Sequence, residues 1–343
     1  MQVADSLGMW KATLDLPEQM EAALANVGTV CDFPSRDHVE HVVVTGMGGS
    51  GIAGDVAVAS AAPFMAVPVT VVKGYELPSY VGANSLVIAV SFSGNTEETV
   101  EVVSRAIEHG ARTVAVTTGG EVRRILQENG GCVVEVDASI PQPRAAFGTL
   151  SVSVLGILEQ VGLFPGASSW VELAIEQLRA RRAELEAPKQ IAADIAGKLK
   201  GALPLIVSSG AIGAVAAMRW KAQINENVKG PAVFSVYPEA CHNELAGFDR
   251  YPDFFREEVA MVVLRHEHEH PQIGRRFAFL EEMIGPRLSS FTTVRGQGVG
   301  ELASLFDLVY IGDVVSLHLA DLLGVDPGPI DMLDSMKKFL AGL

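Results

Sequence analysis

Short runs of apolar residues rich in Val and Ile recur through the first part of the chain, at His41–Thr45, Val69–Val72, Leu86–Val90, Thr113–Thr117 and Cys132–Val136. They stay apolar along their length instead of alternating with polar residues, which is the pattern of strands buried on both faces. Between them the apolar spacing lengthens. In Glu97–His109, Val100, Val103 and Ile107 recur at helical intervals, and Gly110 supplies a stop. Strand, helix, strand in succession predicts a parallel sheet with helices on both faces, an α/β fold.

From Thr149 to about Lys200 the strands disappear, and a polar, basic run over Glu176–Glu186 precedes Pro188. This stretch predicts a connecting helix pair. The strand pattern then restarts at Leu205–Ser208, Ala232–Phe234, Val259–Leu264 and Phe291–Val294, with helical spacing over Ile212–Glu226, Gln272–Ile284 and Val299–Leu323. The expected organisation is a helical lead-in over 1–38, an α/β domain over 39–150, a helical connector over 151–200 and a second α/β domain over 201–343. The halves are alike in architecture, and no short period marks a solenoid.

Composition narrows the class. A chain of 343 residues exceeds what one core organises, and 48% hydrophobic with 20% charged residues is the balance of packed globular protein. The net charge of -15 repels polyanions, so nucleic acid and anionic membranes are excluded as general partners. Any anionic ligand needs a local pocket. The first twenty residues carry acids and no basic start, unlike an export signal, and no apolar segment reaches the roughly 18 residues of a membrane span. Cys31, Cys132 and Cys241 lack C-x-x-C spacing and leave one thiol over, which fits a reducing compartment, the cytoplasm.

Two loops carry chemistry. Gly46-Met47-Gly48-Gly49-Ser50-Gly51 follows the first strand directly and opens a helical stretch. Glycines there let an anion approach free amides at the helix N-terminus. The spacing also satisfies G-x-G-x-x-G, but a dinucleotide site wants an acid at the end of the next strand, and Lys73 stands there with no acid before Glu76. A structural glycine turn is the other alternative. The second loop, Ser91-Phe92-Ser93-Gly94-Asn95-Thr96, lies between the third strand and Glu97. Its hydroxyls can surround a phosphate, whereas a helix cap needs only Asn95 or Thr96.

These two loops resemble the phosphosugar-binding turns of sugar isomerase (SIS) domains. Further segments narrow the resemblance: Gln142–Gly148, Asn225-Glu226-Asn227, Pro238–Glu244 and the tail Gly324–Leu340 are similar to the bifunctional phosphoglucose/phosphomannose isomerase family. The resemblance implies two SIS domains, each a three-layer αβα sandwich, and an aldose-ketose isomerase acting on glucose or mannose 6-phosphate without metal or cofactor. It further implies that Gly49, Ser50, Ser91, Ser93 and Thr96 hold the phosphate.

The same residues make chemical sense in the second half. Moving hydrogen between two sugar carbons needs a base beside a carbonyl, and Glu226, among apolar neighbours at a helix end, is the candidate. Its alternative is a solvated helix-end carboxylate. Arg144, set between Pro143 and Ala145, is the candidate cation for the enediolate oxygens, and by resemblance an active-site residue. By resemblance too, His242 takes part in ring opening from the other subunit of a homodimer, and Lys337 assists, with Lys338 leaving that register open. His266, His268 and His270 alternate after a strand, so a zinc site is conceivable, but Pro271 follows and a solvated strand-to-helix loop is expected. Two rival functions remain: a noncatalytic sugar-phosphate sensor and a nicotinamide-dependent oxidoreductase.

Overall fold

The computed structural model describes residues 4–30, 32–340 and 342, so Cys31 lies outside the described residues. Contacts divide the chain into two compact units. The first comprises Asp15–Ala180 with Gly298–Phe306; the second comprises Met1–Leu14, Arg181–Gln297 and Asp307–Leu343.

In chain order the elements begin with α1 (Met9–Leu14), α2 (Leu16–Thr29), β1 (His41–Thr45), α3 (Gly48–Ser60), β2 (Val69–Val72) and β3 (Ser85–Val90). There follow α4 (Glu97–Glu108), β4 (Arg112–Thr117), α5 (Gly120–Glu128), β5 (Cys132–Glu135), α6 (Phe147–Gln160) and α7 (Ala167–Leu185). The chain continues through α8 (Ile191–Leu199), β6 (Leu203–Ser209), α9 (Gly210–Gln223), β7 (Val233–Tyr237), α10 (Pro252–Glu258) and β8 (Val259–Arg265). It ends with α11 (Pro271–Met283), β9 (Ser290–Arg295), α12 (Gly300–Leu323) and α13 (Asp331–Leu340).

The first unit holds a five-stranded sheet in the order β2-β1-β3-β4-β5, parallel throughout. All of β3 is buried, which explains its unbroken apolar run. On α4 the buried residues are Thr99, Val102, Val103 and Ala106, one face at helical spacing, while Glu97 and Glu98 complement the dipole at its first turn. Helices α2 and α6 approach closely: a Cβ on Gly148 would lie 2.7 Å from Leu16 Cδ1.

The second unit holds a four-stranded parallel sheet in the order β7-β6-β8-β9. Its order repeats that of β2-β1-β3-β4. Arg219 of α9 and Asp313 of α12 are both buried and meet in a two-pronged ion pair, Nε–Oδ1 2.9 Å and Nη2–Oδ2 2.8 Å. A Cβ on Gly312 would fall 2.2 Å from Trp220 Nε1, so glycine alone permits the indole to lie on α12.

Three expectations need correction. The stretch 149–200 is not a helix pair: three helices cross it, and α6 is buried from Phe147 to Leu158 as part of the first unit's core. The helix expected to reach Glu226 ends as an α-helix at Gln223 and widens into a π-helical turn, Ile224–Val228. One helix, α12, is long and apolar enough to cross a membrane by length and composition, contrary to the sequence reading, but it is almost wholly buried inside the protein. A core helix passes the same test.

Candidate active site

In the first unit the loops after β1 and β3 are bonded to each other. Gly46 passes hard against the end of β3, where a Cβ would stand 2.6 Å from the Val90 carbonyl oxygen. Gly48 takes φ +52, a left-handed value natural to glycine, and α3 starts there. Ser50, buried in the first turn of α3, accepts a hydrogen bond from Phe92 N at 3.1 Å. The main chain of a third segment closes on the same spot: a Cβ on Gly49 would lie 2.9 Å from Arg144 N. Arg144 sits on a short 3-10 turn, Pro143–Ala146, and is only 2% exposed.

The hydroxyl loop is built on internal bonds. Ser91 Oγ accepts from Gly94 N and pairs with Thr96 Oγ1, both at 3.1 Å, and Ser93 Oγ accepts from Asn95 N at 3.2 Å. Ser91 is buried, Thr96 half-buried and Ser93 exposed. The capping alternative takes an unexpected form. Thr96 stands at the N-cap of α4 without a side-chain cap bond, while Asn95 Oδ1 accepts from Glu121 N at the start of α5. The loop is thereby tied to the turn after β4, where Thr118 Oγ1 donates to the Phe92 carbonyl at 2.7 Å. Gly49, Ser50, Ser91, Ser93, Thr96 and Arg144 thus belong to one group of loops at the carboxyl ends of adjacent strands, where open α/β sheets bind ligands.

Sequence reasoning missed a pair beside this group. Lys73, at the end of β2, forms an ion pair with Asp55 of α3, and a Cβ on Gly51 would lie 3.4 Å from Lys73 Cε. A cation therefore lies against the first turns of α3. Burial raises the Asp55 carboxyl above its ordinary value, with Lys73 pulling the other way. The sequence carries a signal for it: Lys73 follows the strand after the glycine loop, at the place where a dinucleotide site would have an acid. The Thr117-Thr118-Gly119-Gly120 turn was likewise unread.

Glu226 is half-buried on the π-helical turn, its carbonyl oxygen accepting from Lys229 Nζ at 2.7 Å. The neighbouring Asn227 is fully buried and its Nδ2 donates to Ser316 Oγ at 2.9 Å. His242 ends a short 3-10 turn, Glu239–His242, and is exposed. Lys337 is exposed on α13, 3.8 Å from Asp334, with Lys338 exposed beside it.

The histidine run after β8 departs from a solvated loop. His266 is buried with Nε2 3.1 Å from the Ser209 carbonyl oxygen. Glu269 Oε1 accepts from Ser209 Oγ at 3.2 Å and from His266 N at 3.3 Å, while Oε2 pairs with Arg265. His270 caps α11, its Nδ1 accepting from Gln272 N at 3.2 Å. Among the described residues no three His, Cys, Asp or Glu side chains come together as metal donors.

Residues 37–140 match the SIS domain family, and residues 188–340 match the bacterial phospho-glucose isomerase C-terminal SIS domain. A bifunctional phosphoglucose/phosphomannose isomerase of Caldicellulosiruptor bescii is 34% identical over 337 residues, covering 97% of this chain and 99% of the relative. The chain belongs to the bifunctional phosphoglucose/phosphomannose isomerase family. A second relative so named, from Aquifex aeolicus, is 34% identical and covers 87% of this chain and 90% of its own. The family has a neighbour of other chemistry: a D-glucosamine-6-phosphate 4-epimerase of Sulfolobus acidocaldarius is 31% identical over 62% of this chain and 66% of its own. Among solved structures, tagatose-6-phosphate ketose/aldose isomerase from Escherichia coli shares the fold at TM-score 0.73 and 14% identity, covering 96% of this chain and 98% of that one.

Proposed function

We propose that this chain is an aldose-ketose isomerase that interconverts glucose 6-phosphate and mannose 6-phosphate with fructose 6-phosphate, without metal or nicotinamide. The observation that carries the reading is the Ser50–Phe92 bond, which ties the glycine loop to the hydroxyl loop in a chain of this family. The phosphate binds against Gly49, Ser50, Ser91, Ser93 and Thr96, where amides and hydroxyls favour an anion despite the acidic surface. Arg144 faces the enediolate oxygens, a buried cation that needs no reorganisation as charge develops. Glu226 takes the proton from one sugar carbon and returns it to its neighbour. Because the enediolate loses the C2 configuration, both epimers are reached through one intermediate, the face of C2 that receives the proton deciding between them.

His242 and Lys337 belong to the ring-opening stage. His242 acts from the partner copy of a homodimer, which suits its exposure in the single chain. The protein works in the cytoplasm, where a free thiol such as Cys241 persists.

The test is to incubate purified protein with fructose 6-phosphate after exhaustive chelation, with no nicotinamide, and to identify the products by NMR. Glucose and mannose 6-phosphates are expected. Binding without turnover would establish the sensor instead, and an amino sugar epimerised at C4 in preference would place the chain beside its epimerase relative. Glu226→Gln is expected to abolish turnover while leaving sugar phosphate binding intact. A variant with wild-type turnover removes that residue from the chemistry.

A further inference from the structure

We infer that Asn227 is a positioning residue for Glu226, holding the π-helical turn in register through a hydrogen-bonded ring that runs from α9 to α12 and back. This rests on the reading of Glu226 as the base.

The turn Ile224–Val228 continues α9 but takes one more residue per loop than an α-helix. Every side chain on it therefore leaves the axis in a direction different from that of a regular helix, Glu226 included. Such turns are rare, found mostly as single bulges inside α-helices, and this one has outside partners. Both flanks have them. On one side Asn227 is fully buried, and its Nδ2 donates to Ser316 Oγ at 2.9 Å. Ser316, equally buried, donates in turn to the Asp313 carbonyl at 2.6 Å. The Asp313 carboxylate is held by both prongs of Arg219 and by the Gln223 side chain, and those two residues lie on α9 just before the turn. The ring thus closes on the helix from which the turn departs.

On the other side Lys229, left-handed at φ +59, donates to the Glu226 carbonyl at 2.7 Å. The same ammonium reaches the Asp326 and Pro327 carbonyls, each at 3.0 Å. Two fully buried residues, Asn227 and Ser316, are therefore bonded to each other beside the proposed base. A base that must meet a carbon-bound proton gains from such constraint, since misplacement by about 1 Å can cost two orders of magnitude in rate.

The test compares Asn227→Leu, which keeps volume and removes the amide, with Ser316→Ala and the double variant. Steady-state kinetics on fructose 6-phosphate are measured well below each variant's unfolding temperature. Each single variant is expected to lose roughly tenfold to a hundredfold in kcat with KM nearly unchanged. The double variant is expected to be no slower than the slower single, the mark of two residues acting through one link. A purely structural role would lower the unfolding temperature and leave kcat per folded molecule alone. Folded variants with wild-type kcat, or losses that multiply, overturn the proposal. If Asn227→Leu does not fold, Ser316→Ala decides alone. Glu226→Gln, assayed in parallel, separates the two claims: an inactive Glu226→Gln beside fully active Asn227→Leu and Ser316→Ala leaves the base standing and removes the clamp. A fully active Glu226→Gln removes both.

Discussion

Gly49 is the residue on which the first-unit loops converge. Its missing side chain leaves room for the main chain of Arg144, and an added Cβ would stand 2.9 Å from Arg144 N and 3.0 Å from Arg144 Cα. Backbone on both sides cannot yield cheaply. Gly49→Ala is therefore expected to move the arginine turn and to cut kcat/KM by roughly tenfold or more, read in the same isomerase assay. Ser50→Ala acts differently. It leaves Phe92 N without its acceptor and takes a donor from the proposed phosphate cradle, so KM should rise while unfolding free energy falls by about 1–3 kcal/mol. The hydroxyl residues were legible in the sequence because they lie within a few positions of one another on two strand-to-helix turns. Asn227 with Ser316 was not. The two lie 89 positions apart, and no local spacing announces a partner that only the fold supplies.

At the level of elements, strands were the easiest to read. A parallel strand buried on both faces is apolar along most of its length, as β3 is, and β1 and the half-buried edge strand β2 also run over the residues expected of them. Helix ends were harder. Helix α5 went unread because its buried residues are Val122 and Leu126 alone, too few to show a period. The π-helical turn was invisible because the partners of Asn227 and Lys229 lie in α12 and the segment after it. The α9–α12 pairing also carries a measurable cost. Burial raises the Asp313 carboxyl above its ordinary value even against the pull of Arg219. Arg219→Met would leave that carboxylate buried without a countercharge, with the neutral Gln223 side chain beside it, and is expected to lose about 3–5 kcal/mol in urea unfolding at neutral pH. A carboxyl whose folded value is raised favours folding in its protonated form, so the deficit should shrink as pH falls toward the ordinary carboxylate range. Adding Asp313→Leu to Arg219→Met should restore most of the loss.

On the scale of the whole molecule, the two sheets share a strand order but offer different chemistry at the carboxyl ends of their strands. After β1 and β3 stand glycines and hydroxyls. After β6 and β8 the corresponding place is taken by the Glu269 carboxylate, bonded to Ser209, His266 and Arg265. A negative group already seated there disfavours a second phosphate. Calorimetry with fructose 6-phosphate should accordingly count one sugar phosphate per chain, and two per chain would contradict the assignment of the cradle to the first unit alone. Burial also raises the Cys241 thiol above its usual value, so at neutral pH it stays protonated. Alkylation there should be slow near neutrality and should accelerate only as the solution becomes distinctly alkaline, as followed by mass spectrometry of the labelled peptide.

The bare backbone of Gly312, on which the Trp220 indole rests, has a consequence for how this sequence tolerates drift. Along most of α12 one aliphatic residue can stand in for another of like volume at a cost under about 1.5 kcal/mol. At position 312 even a methyl group displaces a ring that is bonded to the Leu308 carbonyl. In a saturation library scored for soluble expression, that column should stand empty between permissive neighbours, marking the spacing of two helices by a residue that contributes no side chain.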